Sequence, residues 1–404
     1  MFKLCYIAGK WSKKMKKIVF VLPHMLCGGV EKALLSLINE MPEDKYQISI
    51  ILAEKEGDFL NQIPANISVD KIRAPKDSYV IEGTKAALLS YLKRGKLIKF
   101  ARVCINIITK ADITTLTTKF ENIPAVQEKY DVVVCFHIHM PLLLKYVLYK
   151  IDAKNKVAWV HNDFKSAKFD VCKYEKLLER YNHIFCVSNQ LKEELLECIP
   201  KLNNKVSVAP NIISKQYINT MLKYAGNENC FDTNDKIKLL TIGRLESQKG
   251  YDLAIEVCKL LKNDKLNIRW YVLGDGSLRN ELETRIEKNC LNEYFCLLGI
   301  RTNPYPYIRD CDIYVQPSIH EGYGIAVAEA RVLNKPILCT DFTGARDQII
   351  PEVTGLIVDT NVQSIYEGLK TLICSEDKRK TLSKNLSKTN PDTSKAVQEI
   401  LSFL

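Results

Sequence analysis

Two glutamates in the second half of the chain have positions that suit the recognition of a sugar or a ribose. Glu321 and Glu329 have seven residues between them. Glu321 is predicted to lie in a glycine-flanked loop after the strand Ile313–Gln316, and Glu329 about one turn into the following helix. At such a helix N-terminus, carboxylates accept hydrogen bonds from hydroxyl groups while free backbone N–H groups bind phosphate. A capping carboxylate followed by an ordinary exposed glutamate is the alternative.

Two cations occupy a similar position earlier in the same half. The strand Ile237–Ile242 is followed by Gly243-Arg244, and Lys249-Gly250 comes shortly afterwards. Arginine binds phosphate oxygens through paired N–H donors, and lysine adds a point charge. Because both cations follow a strand and stand beside glycines, they are candidates for binding a phosphorylated ligand. Two solvated surface cations are the alternative.

The first half contains a glycine loop in a comparable place. Gly28 and Gly29 separate the strand Ile18–Leu22 from a helix that begins near Val30. Without side chains, this loop allows a ligand to approach the backbone and the free N–H groups of the helix. A tight turn without a ligand explains the same residues, and the loop does not match the dinucleotide-binding fingerprint.

Three histidines also follow strands of the first half. His137 and His139 come after the strand Val132–Phe136, and His161 comes directly after Val157–Val160. Each of them could face a cleft, because ligands of open parallel sheets bind beyond the carboxyl ends of the strands. Each could also be a core or loop histidine without a chemical role.

The elements that position these residues are short apolar strands that alternate with amphipathic helices. Most strands are continuous apolar segments, as expected when parallel strands are buried on both faces. Two such series predict an α/β protein with two doubly wound domains. The predicted strands are Ile18–Leu22, Gln47–Ala53, Val132–Phe136, Val157–Val160, His183–Val187, Val206–Ala209, Ile237–Ile242, Asn267–Leu273, Tyr294–Leu298, Ile313–Gln316, Pro336–Thr340 and Gly355–Val358.

This pattern and a polar stretch just before Ile237 predict that the chain is divided into four segments. Residues 1–14 are predicted to be an N-terminal extension, residues 15–215 the first domain and residues 216–390 the second. Residues 391–404 are predicted to form a last helix.

Length and composition exclude several classes of protein. A chain of 404 residues is too long for one ordinary core, and an apolar fraction of 47% is incompatible with general disorder. No stretch reaches the roughly 18 apolar residues of a membrane-spanning helix. The 14 cysteines lack metal-ligand spacing, and Cys135 and Cys186 stand in apolar segments, which favours core positions in a reducing cytosol.

The net charge of +11 belongs to the first half of the chain. Residues 1–220 carry 34 Lys and Arg against 22 Asp and Glu, whereas the remainder carries 24 against 25. Seven cations and no acid lie between Lys85 and Lys110, interspersed with apolar residues. This segment resembles a basic amphipathic helix or helix pair that binds an anionic membrane surface. A solvated helix packed on its own domain is the alternative, and nucleic acid is disfavoured because no binding module accompanies the charge.

Taken together, these motifs resemble the large family of retaining GT-B glycosyltransferases marked by an E-x7-E motif, the glycosyltransferase family 4-like enzymes. The resemblance covers nearly the whole chain from about Lys16 and depends on the order of several segments. These are Gly28-Gly29-Val30-Glu31, Gly243-Arg244, Lys249-Gly250, Leu273-Gly274-Asp275-Gly276, Leu298-Gly299, Pro317-Ser318, Glu321-Gly322-Tyr323-Gly324, Glu329-Ala330 and Thr354-Gly355-Leu356-Ile357-Val358.

The resemblance implies a role for each motif. Arg244 and Lys249 would bind the diphosphate of a nucleotide-sugar donor, and Glu329 would bind the ribose. Glu321 would contact the transferred sugar, together with residues that line sugar and phosphate, namely Gly322, Tyr323 and Gly324. The base would lie near Leu298 and Gly299. The resemblance also implies two Rossmann-like domains that face a cleft, with the C-terminal helix crossing back to the first domain.

On the acceptor side, the resemblance implies that Gly28 and Gly29 lie against the sugar and the acceptor. The family commonly places a histidine after the fourth strand of this domain. Val157–Val160 is the fourth predicted strand, so His161 is the first candidate and His139 the second. The resulting set of catalytic candidates is Glu321, His161, Arg244 and Lys249.

No metal or other cofactor is expected. Asp310-Cys311-Asp312 matches the D-x-D pattern of metal-dependent glycosyltransferases, but it precedes the strand Ile313–Gln316 rather than following it. The predicted co-substrate is a nucleotide-diphosphate sugar, with UDP favoured over GDP.

The predicted activity is transfer of a hexose or N-acetylhexosamine, with retention, to a lipid-linked saccharide in cell-surface polysaccharide synthesis. The protein would be cytoplasmic and peripheral at the inner membrane face. Two alternatives remain, a nucleotide-sugar epimerase on the same scaffold and a non-catalytic protein that binds membrane surfaces.

Overall fold

The structure is a computed structural model. It describes residues 15–73, 120, 123–161, 164, 169–226, 230–232, 236–389 and 393–404, with the side chains of residues 393–395 left out. The predicted basic segment, Lys85 to Lys110, and the predicted N-terminal extension, residues 1–14, lie outside these residues.

The first half forms a seven-stranded sheet in which every pairing is parallel. The order of its strands is β3-β2-β1-β4-β5-β6-β7. Valines and isoleucines dominate the central strands, and Ile18 to Leu22 are fully buried. The strands are Lys16–Leu22 (β1), Tyr46–Leu52 (β2), Ser68–Lys71 (β3), Lys129–Cys135 (β4), Asp152–Val160 (β5), His183–Cys186 (β6) and Val206–Val208 (β7).

The second half forms a six-stranded parallel sheet in the order β10-β9-β8-β11-β12-β13. Its strands are Ile237–Ile242 (β8), Ile268–Leu273 (β9), Phe295–Gly299 (β10), Ile313–Gln316 (β11), Ile337–Thr340 (β12) and Leu356–Val358 (β13). Both sheets therefore have the strand order of a Rossmann-like domain, which confirms the predicted fold class.

Helices connect the strands on both faces of each sheet. The helices of the described residues are Gly29–Glu40, Pro141–Lys150, Glu175–Leu178, Asn189–Cys198, Lys215–Ala225, Tyr251–Asn263, Arg279–Lys288, Tyr305–Asp310, Ile325–Val332, Ala345–Gln348, Val362–Cys374, Glu376–Lys388 and Thr393–Phe403. Short 3₁₀ turns lie at Leu60–Gln62, Val171–Tyr174, Pro200–Lys205 and Ser247–Lys249.

The strand order places one crevice in each sheet. In the first sheet the direction of winding reverses between β1 and β4, and in the second between β8 and β11. The loops after these strands diverge to opposite faces, which leaves a crevice at the carboxyl edge. The glycine loop follows β1, Arg244 follows β8 and Glu321 follows β11.

One strand of the first sheet was not predicted. β3 has the sequence Ser-Val-Asp-Lys and is mostly exposed, because it forms the edge of the sheet beside β2. An edge strand of four residues carries little apolar signal. As a result, among the described strands the one before His161 is the fifth, and the one before His137 and His139 is the fourth. The count that favoured His161 is therefore wrong.

The C-terminal helix Thr393–Phe403 packs against the first sheet, as predicted. The Phe403 ring stacks on His183 with a centroid distance of 4.2 Å and meets Phe185 edge-on at 5.5 Å. Ile400 and Leu404 are buried in the same core as β1. The last helix therefore covers the domain that begins the chain.

A glycine with a left-handed backbone precedes the helix Tyr251–Asn263. Gly250 has φ +69°, and a side-chain carbon at this position would overlap the carbonyl oxygen of Pro317. Pro317 directly follows β11. Gly250 thus allows the loops after β8 and β11 to lie in contact.

We expect Gly250→Ala to destabilise the second domain by at least about 3 kcal/mol. Roughly 1–2 kcal/mol comes from the left-handed backbone, and the remainder from displacement of the Pro317 backbone. Gly299→Ala in the same domain is the control, because Gly299 has φ +76° and the nearest described atom to an added carbon is Arg279 Nη1 at 3.9 Å. Thermal unfolding of both variants measures the difference, and an equal loss of Tm would show that the contact with Pro317 is not tight.

Candidate functional site

The glycine loop of the first domain lies against the second domain. The helix after β1 begins at Gly29, and no side chain caps its N-terminus. A side-chain carbon added at Gly29 would stand 3.2 Å from Cδ1 of Ile325, the first residue of the helix Ile325–Val332. The structure therefore brings the predicted acceptor-side loop together with the helix that carries Glu329.

Glu321 forms an ion pair with Lys249 across the two loops of the second domain. Lys249 Nζ lies 2.5 Å from Glu321 Oε2, and both side chains are largely withdrawn from solvent. Arg244 stands nearby in sequence and is exposed at the end of β8. The predicted phosphate-binding lysine and the predicted sugar-binding carboxylate are thus in direct contact.

A chain of buried hydrogen bonds connects Glu321 to side chains of the strand β11. Tyr314 donates its hydroxyl to Gln316 Oε1 at 2.7 Å, and Gln316 Nε2 donates to Ser318 Oγ at 2.8 Å. Ser318 Oγ in turn donates to Glu321 Oε2 at 3.1 Å. Thr340 Oγ1, on the neighbouring strand β12, donates to the carbonyl of Ser318 at 2.5 Å. The loop after β11 is therefore held from within the sheet.

Sequence reasoning did not identify Gln316, Ser318 or Thr340 as parts of this network. Gln316 and Thr340 end the strands β11 and β12, and Ser318 lies two residues after β11. All three are buried, and a buried polar group needs a partner. The change from apolar to polar residues at the end of β11 and β12 is the signal that was available.

Glu329 is buried and is bound by a lysine from the opposite domain. Lys32 Nζ lies 2.9 Å from both carboxylate oxygens, and Tyr305 donates its hydroxyl to Oε1 at 2.9 Å. Burial and the adjacent Glu329 carboxylate raise the pKa of Tyr305 well above its ordinary value, so the phenol remains a donor. Lys32 and Tyr305 were not predicted. The signal for Lys32 was its place in the first turn after the glycine loop.

The remaining donor-side residues lie in the loop after β11 and at the end of β10. Gly324 has φ +79° and precedes the helix Ile325–Val332, and the Tyr323 carbonyl accepts a hydrogen bond from Gln348 Nε2. Gly322 is partly exposed in the same loop. Leu298 and Gly299 are the last two residues of β10, and the N–H of Gly274 donates to the carbonyl of Gly299 at 2.9 Å.

His137, His139 and His161 lie close together after β4 and β5, and burial keeps His137 and His161 neutral. His161 Nδ1 lies 3.1 Å from Asn211 Oδ1, and its ring stacks on Trp159. Burial, with a smaller contribution from the adjacent His137, lowers the pKa of His161 to about 3. Burial lowers the pKa of His137 to about 4, and His139 adds to this shift. The rings of His137 and His139 are 5.7 Å apart.

The three candidates for an acceptor-side histidine differ in how deeply they are buried. His161 is almost fully buried within an aromatic cluster, whereas His137 and His139 are half-buried at the end of β4. A neutral imidazole can donate or accept a hydrogen bond without a charge. The geometry and the strand count both favour the pair after β4 over His161.

The D-x-D segment lies at the amino edge of the second sheet, as predicted. Asp312 Oδ2 accepts from the N–H of Lys238 at 2.8 Å, and Asp310 pairs with Arg309. Both carboxylates therefore have hydrogen-bond or ion-pair partners near the start of β11. Within the described ranges, no group of three or more His, Cys, Asp or Glu could hold a metal ion.

The described residues include no helix that is long and apolar enough to cross a membrane. Cys135 and Cys186 are buried, as predicted from their apolar segments.

Two Rossmann-like domains whose crevices face each other define the GT-B class of glycosyltransferases, and solved structures show the same fold. The chain superposes on Anabaena HepE in complex with UDP and glucose with a TM-score of 0.68. That alignment covers 96% of this chain and 99% of the other, at 16% identity. Residues 27–217 match the model of Glycosyltransferase Family 4, and residues 230–389 match the model of Glycosyl transferases group 1. The chain therefore has the GT-B fold and combines a family 4 glycosyltransferase domain with a group 1 glycosyltransferase domain.

Two curated relatives are named for transfer to a diphospho-undecaprenol-linked sugar. One is the N-acetylgalactosamine-N,N'-diacetylbacillosaminyl-diphospho-undecaprenol 4-alpha-N-acetylgalactosaminyltransferase of Campylobacter jejuni, 33% identical over 41% of this chain and 46% of that protein. The other is the Escherichia coli UDP-Gal:alpha-D-GlcNAc-diphosphoundecaprenol alpha-1,3-galactosyltransferase, 23% identical over 91% of this chain and 90% of that protein. The first alignment spans about half of the relative's length.

The histidine cluster predicts a loss of stability in acid. The folded protein keeps His137 and His161 neutral, whereas the unfolded chain binds protons near pH 6.5. Stability is therefore fully present above about pH 7 and falls as the pH drops toward 4, by about 1.4 kcal/mol per pH unit for each histidine. The Hε1 resonances of both histidines, assigned with His137→Gln and His161→Gln, should not titrate between pH 8 and 5. The same resonances in urea-unfolded protein are the control, and a midpoint near 6.5 in the folded protein would contradict the assignment.

Proposed function

We propose that this protein transfers a hexose or N-acetylhexosamine from a nucleotide-diphosphate sugar to a lipid-linked saccharide, with retention of the anomeric configuration. The observation that carries the proposal is the position of Arg244, Lys249, Glu321 and Glu329 around one crevice, opposite the glycine loop of the first domain. Cations suit a diphosphate, and carboxylates suit hydroxyl groups.

In this proposal the donor lies against the second domain. Arg244 is exposed and free to bind phosphate oxygens, and Lys249 exchanges its partner Glu321 for the diphosphate. Glu321 then accepts hydrogen bonds from the transferred sugar, with residues 322–324 around it. Glu329 binds the ribose, and the base lies near Leu298 and Gly299. A UDP-sugar is the favoured donor.

The chemistry we propose is preorganised electrostatic stabilisation. As the glycosidic bond breaks, negative charge gathers on the leaving diphosphate, where Arg244, Lys249 and helix N-termini stabilise it. Retention follows if the acceptor hydroxyl attacks from the face that the diphosphate leaves and gives its proton to a phosphate oxygen. His137 and His139 are the proposed acceptor-side histidines, beside Gly28 and Gly29.

The acceptor class is inferred from the relatives. The Campylobacter and Escherichia relatives are both named for saccharides on diphospho-undecaprenol. We propose a lipid-linked acceptor of this kind, with the enzyme peripheral at the inner membrane face. Residues 85–110 are the proposed membrane-binding segment, on the basis of their charge alone.

A radiolabelled transfer assay with UDP-sugars and diphospho-undecaprenol saccharides tests the proposal, and NMR of the product reports the anomer. Release of a rearranged nucleotide sugar without acceptor would identify an epimerase instead. Binding to vesicles without turnover of any nucleotide sugar would identify a membrane-binding protein.

Arg244→Ala and Glu321→Gln should each reduce transfer by about 100-fold or more, the usual effect of removing one group that stabilises transition-state charge. Arg285→Ala is the matched control, because Arg285 pairs with Asp252 and Glu256 on the outer helices of the same domain. Wild-type rates in both site variants, with unchanged Tm, would refute the site.

We also expect transfer to continue after treatment with EDTA, because protein cations are proposed to meet the diphosphate charge. Initial rates before and after EDTA measure this. Loss of transfer that Mn²⁺ restores would contradict the metal-independent mechanism.

A further inference from the structure

The ion pair between Lys32 and Glu329 connects the two domains, and Lys32 has no role in the proposed reaction. It joins the first turn of the helix Gly29–Glu40 in one domain to the helix Ile325–Val332 in the other. The Lys32 and Glu329 side chains are only 12% and 3% exposed. A pair so far removed from water forms only when the two domains are in contact.

The geometry of the Glu329 carboxylate leaves room for one more donor. Lys32 Nζ bonds to both oxygens at 2.9 Å, and the Tyr305 hydroxyl bonds to Oε1. A carboxylate has about four acceptor positions, so one remains, on Oε2. The carboxylate is therefore held in one orientation while retaining the capacity to accept a ligand hydroxyl.

Lys32 and Tyr305 are themselves held in place. The Lys32 ammonium lies 5.4 Å from the centroid of the Tyr305 ring, on which it makes a cation–π contact. Tyr217, on the helix that follows the first domain, meets the Tyr305 ring edge-on at 6.0 Å. Tyr217 also donates its hydroxyl to Gln62. Residues from both domains thus converge on a single carboxylate.

We propose that Lys32 is a positioning residue for the donor ribose and acts through Glu329, so that domain closure and nucleotide binding are coupled. The inference rests on the proposed function, in which Glu329 binds the ribose. Closure brings Lys32 to the carboxylate and orients Oε2 toward one ribose hydroxyl. By linkage, a bound ribose favours the closed arrangement to the same extent.

The test measures the binding of UDP, 2′-deoxy-UDP and 3′-deoxy-UDP to the full chain by calorimetry, with GDP and its deoxy analogues if UDP does not bind. In the wild type, one of the two deoxy analogues should bind roughly tenfold more weakly than the parent nucleotide, as for the loss of one hydrogen bond to a charged group. Lys32→Met should weaken parent binding by about tenfold and remove most of this discrimination. Lys32→Arg should retain the wild-type affinity for the parent nucleotide and the discrimination against the deoxy analogue.

The matched control is Lys215→Met, which removes an exposed lysine at the start of the helix Lys215–Ala225 and should leave binding unchanged. Tyr305→Phe keeps the ring and removes one donor to Glu329, so it should lose part of the discrimination even if Lys32→Met folds poorly.

Three results would overturn the inference. An equal loss of affinity for UDP and both analogues in Lys32→Met would show a structural role only. A gain in discrimination would show that Lys32 competes with the ribose. A wild type that binds UDP without discrimination would refute the assignment of Glu329 to the ribose, while the transfer assay would still report on the proposed activity.

Discussion

Parallel pairing is the constraint on which this structure depends. Every pairing in both sheets is parallel, so each loop that leaves a carboxyl end emerges at the same edge as its neighbours. The reversal of winding between β1 and β4, and between β8 and β11, then opens a crevice at that edge in each domain. Helix N-termini border both crevices, and an anionic ligand between the domains would meet unpaired N–H groups on either side.

Within this frame, the charged groups of the site are arranged in pairs. Glu321 is paired within its own domain by Lys249, and Glu329 is paired across the cleft by Lys32. Carboxylates that are removed from water need such partners, because an uncompensated buried charge is strongly unfavourable. In the proposed reaction, a ligand that supplies phosphate and hydroxyl groups exchanges with these partners. The proposal therefore makes substrate binding and domain closure depend on the same charges.

The first domain differs in character from the second. Two half-buried histidines, His137 and His139, follow β4 at its crevice, and the adjacent buried Phe136 contacts the rings of both His161 and Trp159. The second domain borders the crevice with paired charges and with a chain of hydrogen bonds from Tyr314 to Glu321. This division suits a protein in which one domain holds a charged donor and the other an acceptor sugar.

The sequence alone was sufficient for the architecture. Buried parallel strands are continuous apolar segments, so twelve of the thirteen strands in the described residues were predicted. Their bounds agree within three residues except at the start of β5, and among these strands only the exposed edge strand β3 lacked the pattern. The order of the glycine, arginine and glutamate motifs was sufficient to identify the GT-B class. These signals are local, because a strand that is buried on both faces and a tight turn can each be recognised from a few consecutive residues.

The tertiary structure decided which residues meet. No spacing along the chain relates Lys32 to Glu329, almost 300 residues away, or Asn211 to His161. Strand order placed His137 and His139 after the fourth strand, which changed the histidine assignment. Contacts of this kind depend on how two domains face each other, and that geometry is set by packing between distant segments rather than by any local pattern. The sequence thus determined the fold and the class of protein, and the tertiary structure determined the partners of each charge.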